Sequence, residues 1–210
     1  KLVFLDPHHS QNLRTSAVLL FHLFHHFVKE SEVPFGAFCR FDDHYVFSGS
    51  PERFIKKQGL KIISQPIKGT SRRKEKSEFE AERAQLKNSL KDQTENVMIV
   101  DLVRNDLSKT AKRASVKVEE LFGVYSFPTV HQLISTVVSE VDEKTNLADI
   151  IKSCFPMGSM TGAPKISAMQ LAEKHEDFKR GLYSGAIGFV TPKNNFDFNV
   201  VIRTAIFNSE

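Results

Sequence analysis

"FGAFCRFDDHYVFSGSPERFIKKQGLKIIS", residues 35–64, sets four short strand-forming runs in succession with no helix between them. Residues 35–41 and 44–50 flank Asp42-Asp43, and residues 53–57 and 60–64 flank Gln58-Gly59. Aromatic and β-branched side chains bounded by turn formers read as two antiparallel pairs. A doubly wound sheet would need each strand to be followed by a helix. Here the strand pairs come as a group, so the sequence predicts an α+β fold.

The flanks fit that reading. AVLLFHLFHHFVKE (17–30) carries apolar side chains over most of a helical circumference and predicts a buried helix. His22, His25 and His26 share part of it and read as ordinary helix histidines rather than metal ligands. EFEAERAQLKNSLKD (78–92) is rich in helix formers, with Leu86 and Leu90 one turn apart, and ENVMIVDLVRNDL (95–107) continues helically. The latter is apolar between its charges. It predicts a mostly buried helix in which Asp101, Arg104, Asn105 and Asp106 find ionic partners. Gly and Pro punctuate CFPMGSMTGAPKISAMQLAEK (154–174) as far as Pro164, after which a helix carries Ile166, Met169 and Ala172 on one face. Finally, YSGAIGFVT (183–191) and FDFNVVIRTAIF (196–207) flank a PKNN turn as a hairpin.

The 210 residues, 40% of them hydrophobic, suffice for a core. No apolar run reaches the roughly 18 residues of a membrane span, and the start lacks a signal-peptide pattern. The chain does not begin with Met and is read as a piece of something longer. Cys39 and Cys154 stand in apolar surroundings without metal-ligand spacing, which suits buried free thiols in a reducing cytoplasm. The net charge is +4, and the densest basic run, Arg72-Arg73-Lys74, lacks interleaved aromatics, so a solvated loop is expected there and no nucleic-acid partner.

Several positions look chemical. Lys68, in SQPIKGTSRR (64–73), sits where the backbone is expected to bend, and a lysine attacks carbon only as the neutral amine. Asp92 and Glu95, three apart on a helix, project from one face and suit Mg²⁺. The small-residue loop Thr161–Lys165 feeds a helix N-terminus, where amides can hold an anion, although its glycine spacing is not that of a Walker loop. Arg203 lies among Val201, Ile202 and Ala205, and a half-buried arginine there wants a carboxylate, of protein or ligand. His131 reads equally as a satisfied core histidine. Glu52 closes a strand in SPERF, a place for functional loops and for plain turns alike.

In order along the chain, SPERF (50–54), PIKGTSRR (66–73), ENVMIVDLVRNDL (95–107), VHQLIST (130–136), FPMGSMTGAPK (155–165), YSGAIGF (183–189) and IRT (202–204) resemble the chorismate-using enzymes. The resemblance covers roughly residues 33–207; residues 1–32 form a partial N-terminal segment without a family word. It implies stacked antiparallel sheets with helices outside, and a catalytic domain over 33–210 that lacks its C-terminal end and a second metal-binding glutamate. Anthranilate synthase and isochorismate synthase relatives usually carry alanine where Lys68 stands; the lysine resembles the aminodeoxychorismate synthase branch. That branch replaces the 4-hydroxyl of chorismate with an amino group on the way to para-aminobenzoate and folate. By this resemblance Lys68 is the nucleophile, Glu52 an acid/base, and His131 a neighbour of the departing oxygen. Mg²⁺ is held by Glu95 with Asp92, the ring carboxylate meets Gly69 and Thr70, and Thr161 lies in a wall of the pocket. Tyr183 and Arg203 take the enolpyruvyl carboxylate. Chorismate, ammonia and a glutamine amidotransferase subunit are the implied partners, in the cytoplasm. A sister synthase or an inactive binding fragment are the alternatives.

Overall fold

The strand runs of the sequence pair antiparallel, and the turns between them explain where they stop. In a computed structural model, residues 2–4, 10–11, 17–73 and 78–208 are described. Along the chain lie β1 (Leu2–Phe4), β2 (Ser10–Gln11), α1 (Ala17–Ser31), β3 (Phe35–Phe41) and β4 (His44–Ser50). Next come β5 (Arg53–Gln58), β6 (Lys61–Gln65), β7 (Ile67–Arg72), α2 (Phe79–Lys87) and α3 (Leu90–Ser108). There follow β8 (Lys117–Ser126), β9 (Val130–Glu140), α4 (Leu147–Cys154), a 3₁₀ turn at Gly158–Met160 and α5 (Lys165–His175). β10 (Ala186–Val190), β11 (Phe196–Val200) and β12 (Thr204–Asn208) close the order. Two units divide it: Lys1–Glu52 with Arg180–Ile187 and Asn199–Glu210, and Arg53–Lys179 with Gly188–Phe198.

The first unit holds a five-stranded sheet in the order β2-β1-β12-β4-β3. Phe35–Phe41 pair with His44–Ser50 across Asp42, which takes φ 51° in the turn. Leu20 of α1 enters a core with Tyr45, Phe47, Ala205 and Phe207, and Phe24 and Phe38 pack against it. The rest of α1 departs from expectation. Val18, Leu19, Phe21 and Leu23 are exposed, as are His22, His25 and His26, because only one stripe of the helix reaches the sheet.

The second unit is built on β9. β8 pairs along one edge, while β6 and then β7 pair along the other, Lys61↔Glu140 through Ser64↔Val137 and Ile67↔Ile134 onward. Between them the amide of Ser135 donates to the carbonyl of Pro66 at 3.2 Å, so β6 and β7 form one run past a proline that could not have donated. No turn forms at PIKGT: Pro66 lies between the strands, and Ile67 to Thr70 are strand interrupted by an irregularity at Lys68-Gly69. Ile62, Leu133 and Val137 are fully buried beneath the helices, with Ile99 and Leu107 of α3 close to fully buried.

The helical stretch 78–107 is two helices rather than one. Ser89, extended at φ −67° and ψ 106°, accepts from the amide of Asp92 and starts α3 afresh, leaving Leu86 buried and Leu90 exposed. α3 is also less buried than expected. Asn96, Ile99, Val100, Val103, Asp106 and Leu107 form its inner face, whereas Val97 and Met98 are 48% and 44% exposed. Of the C-terminal pair, β10 and β11 form as read, but strand structure stops at Val200 and resumes at Thr204 in the other sheet. Lys74, Glu75 and Lys76, at the end of the basic run, lie outside the described residues, as do parts of the 1–32 segment.

Asn96 and Ser135, both fully buried, lock α3 to β9. Ser135 Oγ donates to Asn96 Oδ1 and accepts from the amide of Phe122, a residue at φ 59° in a bulge of β8. Ser135→Ala strips a partner from two buried polar groups and should cost about 2–4 kcal/mol, whereas loss of the half-exposed cap in Ser89→Ala should cost about 1 kcal/mol. Urea titration of both variants checks that ranking.

Candidate active site

Strand pleat decides which predicted residues share a face. His131 touches α2, with the Phe79 ring 4.8 Å from its own, and Ser135 touches α3 through Asn96. Odd-numbered residues of this part of β9 therefore face the helices, and even-numbered ones the opposite side. Thr70 pairs directly with Gln132, and Ile67 with Ile134. Between those pairs the register shifts, so that Lys68 and Gly69 together oppose Leu133. Gly69 has φ +95°, and a Cβ there would lie 3.0 Å from Asp92 Cβ and 3.2 Å from Leu133 Cβ. It occupies the helix-facing position that regular alternation would have given to Lys68. Lys68 and Gly69 are half-buried and Thr70 is exposed.

The same contact brings PIKGT against the start of α3. Asp92 is in the first turn, where the helix dipole favours a carboxylate. Glu95, 45% exposed, lies 4.0 Å from Lys91. Two carboxylates three residues apart at a helix start are oxygen donors of the kind that hold Mg²⁺ with water and substrate completing the shell, and the residues present fit such an ion. Among the described residues no cluster of three or more His, Cys, Asp or Glu could hold a metal by itself.

The ionic partners expected for 101–106 are present. Arg104 Nη1 donates to Asp101 at 2.9 Å in solvent. Asp106, 3% exposed, takes Lys109 at 2.9 Å and Lys165 of α5 at shorter range. Thr161 Oγ1 donates to the Met157 carbonyl at 3.0 Å, within the 155–164 loop. On α5 the Ile166, Met169 and Ala172 face forms as read, but Ile166 is 73% exposed and no residue of the helix is buried. Cys154, at the end of α4, is buried and its thiol is pushed up to about 11, chiefly by desolvation. Cys39 is half-buried rather than buried.

His131 is fully buried. Its Nδ1 shares a 2.9 Å hydrogen bond with Ser126 Oγ, and its Nε2 points at Glu82 across 3.7 Å without a hydrogen-bond partner. The ring is thus enclosed on the helix side of the sheet. Gln132, absent from the expected residues, has the face of Thr70; it is 2% exposed and its Oε1 has no partner. On the same face Gln65 donates to Thr136 at 3.1 Å and accepts from Arg53, which grips Asp197 through two bonds of 2.9 and 3.0 Å. The period-two spacing of Gln132 and Thr136 was the signal for this polar row; its register partners were not visible in sequence.

In the first unit, Glu52 is 6% exposed, and its carbonyl accepts from Val200 at 3.1 Å. The amide of Ser184 donates to Val201, and that of Val201 to Gly185, which brings the Tyr183 and Arg203 segments to one corner. Arg203 is not the half-buried strand residue expected. It is exposed, at φ 49°, in the break before β12, and its carbonyl accepts from Gly49. Tyr183 is half-buried, with the Arg180 guanidinium 5.9 Å from its ring centre.

A family described as chorismate binding enzyme matches residues 9–210. The chain belongs to that family. As a chorismate binding enzyme it is 44% identical over 177 residues to aminodeoxychorismate synthase component 1 of Klebsiella aerogenes, covering 84% of this chain and 39% of the relative. To the same component of Escherichia coli K12 it is 42% identical over 175 residues, 83% of this chain and 39% of that one. The chain thus spans about two fifths of the length of these relatives. Anthranilate synthase component I of Streptococcus pneumoniae TIGR4 superposes with a TM-score of 0.81 at 29% identity, over 90% of this chain and 41% of that one. The α+β reading with antiparallel sheets is therefore the family's fold.

Two outcomes follow from this geometry. Gly69→Ala forces a side chain into positive φ and onto Asp92, and should destabilise the protein by about 2 kcal/mol or more in urea titration. Iodoacetamide at pH 8 should label Cys39 and spare Cys154, read by peptide mass. The buried thiol stays protonated until the pH nears 11, and its stabilising effect, complete below the ordinary thiol value of 9.0, is lost as the pH climbs through that range.

Proposed function

We propose that this chain is the chorismate-binding portion of an aminodeoxychorismate synthase component I, with Lys68 as nucleophile. The observation that supports it is the β-bulge in which Gly69, next to Lys68, packs against Asp92 at the start of α3, in a chain 42–44% identical to such components. The reaction is replacement of the chorismate 4-hydroxyl by an amino group, feeding para-aminobenzoate and folate synthesis. The Lys68 amine, losing a proton, forms a bond to ring C2, both ring double bonds shift along the ring, and the C4–O bond breaks as the hydroxyl departs as water. Ammonia, delivered by a glutamine amidotransferase subunit, then bonds C4 and loses a proton; both double bonds shift back and the C2–lysine bond breaks, the proton returning to the amine. Covalent catalysis divides one hard displacement into two easier ones.

Glu95 with Asp92 would hold Mg²⁺, which when bound offsets the charge of the ring carboxylate. Gly69 and Thr70 orient that carboxylate through backbone and hydroxyl, and the loop containing Thr161 forms a wall beside it. In the first unit, Tyr183 and the exposed guanidinium of Arg203 serve the enolpyruvyl carboxylate, and the buried Glu52 moves the proton to the leaving oxygen. His131 would stand beside the departing oxygen. The buried, unpartnered amide oxygen of Gln132 lies opposite Thr70.

Anthranilate synthase is the second reading, favoured by 38% identity over 178 residues to component 1 from Saccharolobus solfataricus. Incubation with chorismate, Mg²⁺ and ammonium, with products separated by mass, decides between them; anthranilate would end the first reading. Exposure to chorismate and Mg²⁺ without ammonium should add the mass of chorismate less one water to the intact protein. Lys68→Ala should abolish that adduct, and its survival in the variant would place the nucleophile elsewhere.

A further inference from the structure

We propose that Asp106 is a positioning residue for the loop that runs from Met157 to Pro164, and that Lys165 belongs to this clamp rather than to ligand binding. The loop is fastened to α3 at two points one helical turn apart. At its start, Gly158 lies so close to Leu102 that a Cβ there would come within 2.7 Å of the leucine's methyl carbon. At its end, Lys165 Nζ donates to Asp106 Oδ2 and to the Cys154 carbonyl, the latter at 3.0 Å. Leu102 and Asp106 are four residues apart and share a face of α3.

The clamp is built for permanence. Asp106 and Lys165 have side chains only 4% and 12% exposed, and each carboxylate oxygen is used, Oδ1 by Lys109 at 2.9 Å and Oδ2 by Lys165. Lys109 also reaches the Ser153 carbonyl at 3.3 Å. The ends of α3 and α4 and the beginning of α5 thereby meet on one buried carboxylate. A lysine so held has its charge offset by Asp106 and its amine committed to the clamp, while the loop's own Thr161 hydroxyl closes back on the Met157 carbonyl. Because Asp92 and Glu95 stand on the same helix, Asp106 also fixes how far the loop lies from those carboxylates. Eleven residues of rise separate Glu95 from Asp106, about 16 Å along the axis.

The role in ligand binding rests on the function proposed above; the clamp itself does not, and two readouts keep them apart. In amide hydrogen exchange of the 210-residue chain, Asp106→Asn should raise exchange of peptides covering 157–165 by at least about tenfold, with β8 and β9 unchanged, because removing one member of a buried pair strands the lysine. Asp106→Glu should restore most of the protection. Calorimetric titration with chorismate and Mg²⁺ should show weaker binding for Asp106→Asn by a similar factor. If Asp106→Asn does not fold, Lys165→Met, which leaves Asp106 paired with Lys109, should give the same local loss. Loop exchange equal to wild type in a folded variant overturns the clamp. Raised loop exchange in a chain whose wild type ignores chorismate supports the clamp and removes the functional reading instead.

Discussion

Hydrogen bonding along both edges of β9 is the constraint on which the second unit depends. Eleven residues of strand are flanked by β8 on one side and by the nearly continuous β6–β7 run on the other, so Lys68, Gly69 and Thr70 take their height from this ladder. Such a strand has little freedom to slip, because a one-residue shift would exchange Leu133 and Val137 for Gln132 and Thr136 under the helices. The pleat then sorts chemistry from packing: Gln132, Thr136, Gln65 and Thr70 to one side, Ser135, His131 and Leu133 to the other.

α3 supplies the complementary rigidity. Its inner face is not uniformly apolar; Asn96 and Asp106 sit within it, each with every partner it needs, and each fixes something that a leucine could not. Asn96 sets the rotation of the helix over β9, which aims Asp92 and Glu95. Buried polar groups of this kind contribute little net stability compared with apolar packing, but they admit only one arrangement.

Much of this was legible in sequence and some was not, for reasons that differ by residue. The hairpins around Asp42-Asp43 and Gln58-Gly59 carry local signals, and local geometry obeyed them. The ionic partners of Asp106 were foreseeable because a charge buried in an apolar helix face must be compensated, whereas Asp101 meets Arg104 in solvent. Helix burial was overstated for α1 and α3, since an all-round apolar pattern does not say which stripe finds a sheet. Ser89, a strong cap, was overlooked inside a run of helix formers. Lys68 stood out beside Pro66 and Gly69, and Asp92 and Glu95 by their helical spacing, before the family words gave them roles; that Gly69 packs on Asp92 was not legible, because it depends on a register shift in β7. The side of the sheet that His131 takes was not legible, because the period of a strand gives alternation but not absolute direction; Phe79 and Glu82, some fifty residues earlier, supply that direction. Arg203 looked like a strand residue among apolar neighbours, whereas the chain changes sheets there.

The bulge in β7 has a genetic corollary. An in-frame loss of Gly69 would leave the ladder intact, since Ile67 and Thr70 would keep their partners Ile134 and Gln132. It would, however, restore plain alternation and turn Lys68 inward, toward Asp92 beneath α3. Because that slot has no room for a Cβ beside Asp92, one missing codon would press the lysine stem against α3, so the glycine has to be inherited together with the residue before it.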